Sequence, residues 1–176
     1  SARHLIYARF WHKFLFDIGA VAYREPFRRL ANQGLIAGED GRKMSKRWGN
    51  IVNPDDIIAQ FGADTLRIYE MFMGPFEDGI AWSTEAIVGP RRFLEKVWRL
   101  KEKVSSFKFQ VSSQKIERLL HKTIKKVSVD IENLKFNTAV SALMIFVNEL
   151  EKEKEIPADL YKNLLMLLSP FAPHIA

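Results

Sequence analysis

The chain opens on an apolar segment and continues with alternating polar and amphipathic stretches. Residues 4–18, HLIYARFWHKFLFDI, are apolar on almost every side, and Gly19 follows them. This pattern predicts a helix that is buried on most of its faces and ends at the glycine. Residues 26–33 predict a short second helix, because Pro26 suits a first turn and Gly34 suits a helix end.

A strand and a polar loop are predicted next. Residues 35–37 are a short apolar run, which is typical of a strand. Asp40 and Gly41 form a tight-turn signal, and residues 38–50 as a whole are rich in glycine and charge. We call residues 38–50 the basic loop.

Two helices are predicted after the basic loop. The first begins at Asn53-Pro-Asp-Asp, where the asparagine is a good N-cap, proline fits the first turn and the two acids face the positive end of the dipole. It ends near Gly62, and the second helix covers about 64–73. A linker, 75–83, ends at Ser83, a candidate N-cap.

From Ser83 onward, apolar residues recur at spacings of three, four and seven, which indicates helices throughout. Breaks near 105–113, 134–137 and 152–157 divide this region into four helices with short loops. The pattern predicts a mostly antiparallel four-helix arrangement.

Composition and charge narrow the possible chemistry. Hydrophobic residues make up 47% of the 176, which is ordinary for a globular protein. The chain has no cysteine, so disulfides and thiolate metal sites are excluded, and a reducing compartment is compatible. The four histidines lack metal-site spacing, so we expect no bound metal at protein ligands. No apolar run reaches the roughly 18–20 residues of a membrane span, and the net charge of +6 favours an anionic partner.

The basic loop carries the clearest chemistry. Four of six consecutive residues are cationic: Arg42, Lys43, Lys46 and Arg47. Gly41 and Gly49 flank them. Cations on such a loop suit a polyphosphate, and preplaced charge lowers the barrier when a pyrophosphate group leaves. The alternative is a solvated basic turn or one that touches a nucleic-acid backbone.

The residues Lys43-Met44-Ser45-Lys46, followed by Gly49-Asn50, resemble KMSKSKGN, the second signature motif of the class I aminoacyl-tRNA synthetases. The resemblance implies that these four residues bind ATP and that the loop closes on it. Lys46 would stabilise the transition state of aminoacyl-adenylate formation, with Lys43 as a second catalytic lysine. The sequence departs from the pattern at Arg47 and Trp48, where the family usually has serine and lysine.

Longer stretches carry the resemblance across the chain. The segment NPDDIIAQFGADTLRIYEMFMGP resembles the synthetases for leucine, isoleucine, valine and methionine. EMFMGP with Trp82-Ser83, FNTAVSALMIFVNEL, LLSPFAPHIA and the opening HLIYARFWHKFL resemble the bacterial leucine enzymes in particular. The implied fold is mainly α. Residues 1–80 would be the end of a Rossmann-type catalytic domain with the KMSK loop and connector helices, and 83–176 an anticodon-binding-type α-helical bundle that is cut at its C-terminus.

The resemblance also implies partners. They are leucine, ATP with Mg²⁺, and tRNA(Leu), for a monomeric cytoplasmic enzyme. His4 matches a family histidine at the floor of the amino-acid pocket, although a helix-end histidine satisfied by backbone fits equally well. No HIGH-like first signature motif and no editing domain occur in the 176 residues, so we expect no aminoacylation by this chain alone.

A basic face on the first bundle helix supplies candidates for tRNA contact: Arg91, Arg92, Lys96 and Arg99. A plain solvated face explains them as well. Trp11, Trp82 and Trp98 have periodic apolar neighbours, which favours core packing over base stacking.

Two other functional hypotheses stay open. One is an isoleucyl-, valyl- or methionyl-tRNA synthetase of the same class. The other is a free-standing helical module that binds tRNA or another RNA and catalyses nothing.

Overall fold

The computed structural model describes residues 2–105 and 114–176. By its internal contacts the chain divides into two compact units, one reaching Asn32 and one covering Gln33–Ala176. The predicted break at 105–113 falls almost wholly outside the described residues. As expected from the sequence, the described part is mainly helical.

The first unit is built around α1 (Ala2–Asp17). Gly19, with φ 74, ends the helix as predicted. The chain then folds back on α1. The Arg9 guanidinium donates two hydrogen bonds to the Glu25 carboxylate, at 2.8 and 2.7 Å, and His12 Nε2 donates to the Tyr23 carbonyl at 2.6 Å. The Arg9 guanidinium lowers the pKa of Glu25 to about 2.

Two expectations for this unit are wrong. No residue of α1 is buried, although the apolar pattern predicted burial on most faces. A helix buries only the faces that other elements cover, and residues 18–32, which follow α1 in this unit, contain no helix or strand to do so. Residues 26–33 are irregular rather than helical. Their proline and glycine cues are local, and so short a helix needs packing partners to persist in water.

The second unit begins with a parallel pair of strands, β1 (Ile36–Ala37) and β2 (Ile80–Ala81). β1 was predicted from its apolar residues, whereas β2 lies in the segment predicted as a linker. Gly34 precedes β1 and lies directly against the backbone before β2. A Cβ added at Gly34 would lie 1.7 Å from the Asp78 carbonyl oxygen, so only glycine fits.

Helices α2 (Pro54–Phe61) and α3 (Ala63–Phe72) follow the basic loop, as predicted. The Asn53 side chain caps α2 by accepting the Asp55 N–H at 3.2 Å. Gly62, with φ 88, ends α2 and starts α3 at once.

A small hydrophobic core joins these helices to the segment after β2. We call it the small core; its buried members are Ile57, Leu66, Tyr69, Trp82 and Ile87. The Tyr69 and Trp82 rings meet edge to face at 4.9 Å between centroids, an arrangement that aromatic quadrupoles favour.

Four longer helices form the remainder, as the apolar spacing predicted: α4 (Val88–Leu100), α5 (Gln114–Glu132), α6 (Phe136–Leu150) and α7 (Ala158–Leu168). A three-residue turn joins α5 to α6, with Leu134 in the left-handed region at φ 58. A second parallel strand pair, β3 (Val104–Ser105) and β4 (Ile156–Pro157), lies beside the bundle.

The chain's C-terminal segment is held to α3 by two polar side chains. The Asp64 carboxylate accepts the His174 and Ile175 N–H groups at 3.3 and 2.7 Å. Arg67 donates to the Phe171 and Pro170 carbonyls at 3.0 and 2.8 Å. Ile68, the residue after Arg67 on α3, is fully buried in the core of the bundle. Helix α3 therefore belongs to both cores.

Replacing Gly34 should test the close approach of the two strand segments. We expect Gly34→Ala to lower the free energy of unfolding by about 3 kcal/mol, because backbone cannot yield as a flexible side chain does. Gly89→Ala is the matched control: a Cβ there meets nothing within 4 Å, and alanine in α4 should stabilise by about 0.5 kcal/mol. Urea unfolding of the three proteins measures both. Equal stability of Gly34→Ala and the parent would contradict the steric argument.

Candidate functional site

The basic loop leaves β1 and returns beside it. Gly38 N–H donates to the Arg42 carbonyl at 2.8 Å, and Ala37 and Lys43 form an antiparallel bridge. Gly41, at φ 73, makes the predicted turn between them. Met44 then turns inward and packs on the small core. The first half of the KMSK motif is thus held in place twice: Lys43 pairs with Ala37 of β1, and Met44 packs on the small core.

The second half of the motif is a single helical turn. Ser45 Oγ accepts the Arg47 N–H at 3.3 Å and so caps a 3-10 helix, Lys46–Trp48. Gly49, with φ 65, ends it through its N–H to the Lys46 carbonyl at 3.3 Å. Serine and glycine therefore fix the turn that carries Lys46. The sequence signal for both residues was the motif itself.

Asn50 joins the two halves of the loop. Its Oδ1 accepts the Ser45 N–H at 2.9 Å, and its Nδ2 donates to Asp40 Oδ1 at 3.0 Å. The Asp40 carboxylate also accepts the Arg42 N–H. The Asn50 amide and this N–H hold the pKa of Asp40 below its usual value. A lowered pKa means that the carboxylate's contribution is present at neutral pH and is lost only as pH falls through the folded-state pKa.

The cations of the loop differ in whether an acidic side chain of the protein pairs with them. Arg42 forms an ion pair with Asp40 at 3.0 Å. Lys43 and Lys46 are exposed, and neither has an acidic partner in the described part of the chain. Two ammonium groups are thus left for an external anion. An exposed, unpaired ammonium group suits a phosphate, because it is a point charge on a flexible stem.

The base of the loop is tied to the segment after β2. Glu39 accepts both the backbone N–H and the hydroxyl of Thr84, at 3.0 and 2.8 Å. These bonds lower the pKa of Glu39. Ser83, the predicted N-cap, accepts the Ala86 N–H at 3.4 Å. Sequence reasoning missed Glu39, Asp40 and Asn50 as loop-holding residues, since their partners are only visible in three dimensions.

His4 lies in the first turn of α1 in the first unit, with its side chain exposed. The Lys43–Lys46 motif belongs to the second unit. The role of His4 in a substrate pocket therefore stays a prediction.

The basic face of α4 is largely engaged within the protein. Arg91 bonds Glu95 at 2.8 Å and the Phe61 carbonyl at 3.0 Å. Lys96 bonds Asn148 and Glu151 at 2.9 and 2.7 Å, and Arg99 lies 3.9 Å from Glu151. Among the four candidates, Arg92 alone lacks an ion pair in the described part of the chain.

The three tryptophans weighed in the sequence differ in burial. Trp82 is 4% exposed and belongs to the small core, as predicted. Trp11 and Trp98 are 59% and 53% exposed, so the expectation of core packing is wrong for them. Periodic apolar neighbours place a residue on a helix but do not establish which faces of that helix are covered.

Within residues 2–105 and 114–176, no cluster of three or more His, Asp or Glu side chains could hold a metal ion. Across the same residues, no helix combines the length and apolarity that crossing a membrane requires.

Residues 6–83 match the family model of the class I tRNA synthetases (I, L, M and V), and residues 113–176 match that of the anticodon-binding domain of tRNA ligase. The chain is also similar to a LeuRS from Agrobacterium radiobacter K84, solved as a ternary complex with tRNA and LeuAMS. The two are 34% identical with a TM-score of 0.81, over 98% of this chain and 25% of that one.

Two methionyl-tRNA synthetase structures from Mycobacterium tuberculosis, both with methionyl-adenylate, are 18% and 20% identical with TM-scores of 0.64 and 0.61. Each covers 93% of this chain and 39% of its own, and the likeness is one of fold alone. This chain spans well under half the length of each of these three synthetases. The matched segments follow one another in the order catalytic domain, then anticodon-binding domain. The chain accordingly belongs to the class I aminoacyl-tRNA synthetases.

Proposed function

We propose that this chain is part of a leucine–tRNA ligase, which activates leucine with ATP to leucyl-adenylate and transfers it to tRNA(Leu). The observation that carries the proposal is the pair of unpaired lysines, Lys43 and Lys46, on a loop held by Ser45, Gly49 and Asn50. The 34% identity to a LeuRS, against 18% and 20% to methionine enzymes, supports leucine as the amino acid.

The geometry of the loop supports a part for it in the chemistry. Attack of the leucine carboxylate on the α-phosphorus of ATP breaks the bond to pyrophosphate, and negative charge builds on the leaving group. Lys46, at the start of a capped turn, would meet that charge, with Lys43 beside it as a second cation. Ser45 and Met44 hold the loop: Ser45 caps the turn and Met44 packs on the small core. Magnesium would enter with ATP, bound by its phosphates.

The proposal also covers His4, the two domains, the oligomeric state and the compartment. His4 would contact the amino acid or the adenylate. Residues 1–80 and 83–176 would be the two domains. We expect a monomer in the cytoplasm, which the lack of cysteine fits. The chain alone should not aminoacylate, because it spans 25% of the LeuRS chain and holds no HIGH-like motif.

The methionine enzymes' similar fold keeps an isoleucine, valine or methionine ligase as a second candidate. Pyrophosphate exchange by the full-length enzyme with each of the four amino acids distinguishes them. A free-standing RNA-binding module has less support, because residues 6–83 match a catalytic family.

Lys46→Ala in the full-length enzyme tests the loop's role. We expect kcat for leucine-dependent pyrophosphate exchange to fall on the order of 10²–10³-fold, as when one preplaced charge-stabilising group is removed. Lys162→Ala, at an exposed lysine of α7, is the control and should exchange at the parent rate. Unchanged exchange in Lys46→Ala would refute the assigned role.

The candidates on α4 separate into two classes that a paired experiment distinguishes. Arg92→Ala should weaken tRNA binding and reduce the salt dependence of log Kd by about one unit, since one phosphate contact is lost, while the melting temperature stays constant. Lys96→Ala should lower the melting temperature, because it leaves Asn148 and Glu151 without their bonds. Filter binding over a salt series and thermal melts measure both. A parent-like salt slope for Arg92→Ala would exclude this residue as a phosphate contact.

A further inference from the structure

Trp48 is an exposed tryptophan in the one loop that the proposed function depends on. Its side chain is 52% exposed, so it has no core to fill. The guanidinium carbons of Arg42 and Arg47 each lie 5.1 Å from its ring centroid. That distance is within the range where a cation is attracted by the electron-rich face of an indole.

We propose that Trp48 is a positioning residue of the basic loop, which orients the guanidinium groups of Arg42 and Arg47 toward the polyphosphate of ATP. The proposal rests on the proposed function, because it assumes that Lys46 meets the same phosphates. It gives a functional reason for Arg47 and Trp48, the two residues at which the chain departs from KMSKSKGN.

The backbone ties the direction of Trp48 to that of Lys46. Trp48 N–H donates to the Ser45 carbonyl at 3.0 Å, and Lys46, Arg47 and Trp48 make up the same 3-10 turn. An indole fixed on this turn holds its two guanidinium groups to the segment that carries Lys46. The loop then presents its cations as one unit.

Electrostatics explains why two arginines need the ring. Two guanidinium groups near one ring carry like charges that repel, and Asp40 forms an ion pair with Arg42 only. Arg47 has no ion pair in the described part of the chain, and its guanidinium group lies over the indole instead. The ring attracts both cations without neutralising them. The N–H groups of Arg47 remain able to bind a phosphate in a bidentate manner, and Arg42, whose Nε pairs with Asp40, keeps its terminal N–H groups for the same phosphate.

Orientation also reduces the cost of binding. A guanidinium group is a planar fork, and an arginine already held in place loses less conformational freedom on meeting a phosphate. The lysine usual at this position would add one mobile point charge. Trp48, in its place, instead orients the two planar guanidinium groups of Arg42 and Arg47.

The decisive measurement is pyrophosphate exchange by the full-length enzyme carrying Trp48→Leu, with Trp48→Phe beside it. We expect the KM for ATP to rise about fivefold in Trp48→Leu, the fold-change of one to two exposed cation–π contacts, with the KM for leucine unchanged. Trp48→Phe keeps an aromatic face and should recover most of the affinity. Trp98→Leu, at an exposed tryptophan on α4 with Lys101 over its ring, should keep the parent KM.

A double-substitution cycle shows whether Trp48 acts through Arg47. If it does, Arg47→Gln should raise the KM for ATP in the parent but add little in the Trp48→Leu background. Equal effects in both backgrounds, or a parent KM in Trp48→Leu, would overturn the inference. The latter result together with slow exchange in Lys46→Ala would leave the proposed function standing. Parent exchange in Lys46→Ala would instead refute the assigned role of Lys46, and a full-length parent without leucine-dependent exchange would refute the proposed function itself.

A second readout does not depend on activity. In NMR spectra of this chain, the indole should shift the Arg42 and Arg47 side-chain resonances upfield by its ring current. The shift should vanish in Trp48→Leu, while circular dichroism shows the same helix content. Random-coil side-chain shifts in the parent chain would contradict the proposed stacking.

Discussion

The hydroxyl of Tyr69 fixes the second unit's geometry around the basic loop. It donates to the Ser83 carbonyl at 3.0 Å and accepts the Ser83 N–H at 2.9 Å, and burial raises its pKa. These two bonds hold the segment after β2 against α3. The next residue, Thr84, binds Glu39 at the base of the loop. One buried side chain therefore connects the helix that belongs to both cores with the loop that carries Lys46.

The loop combines a fixed frame with free charge. Asp40, Ser45 and Asn50 use their polar atoms on one another and on loop backbone, so the turn keeps its path without a hydrophobic core of its own. Lys43 and Lys46 take no part in these bonds and stay exposed. A loop built this way holds the Cα positions of its cations while the ammonium groups stay able to follow a shifting phosphate.

Local cues predicted the elements that local physics decides. The Asn53 cap, the Gly19 and Gly62 helix ends and the apolar spacing of α4–α7 were confirmed, since each depends on neighbours a few residues away. β2 was missed because its partner β1 lies some forty residues earlier and pairs over two residues. The helix predicted at 26–33 was wrong because its cues carry no information about packing partners. The motif predicted Lys43–Lys46 as site residues. The bonds of Asn50 to Ser45 and Asp40 depend on the folded path of the loop, so the sequence did not reveal them.

The basic residues show most clearly that a sequence does not reveal long-range contacts. From the sequence, both the basic loop and the run of basic residues on α4 are candidates for binding an anion. In the folded chain, Glu151 at the end of α6 forms an ion pair with Lys96 and lies near Arg99. Glu95 forms an ion pair with Arg91. The α4 cations thus mostly hold helices together, whereas those of the loop face solvent. A basic residue is most available to a phosphate when no acid within the fold pairs with it, and long-range packing decides which residues are paired.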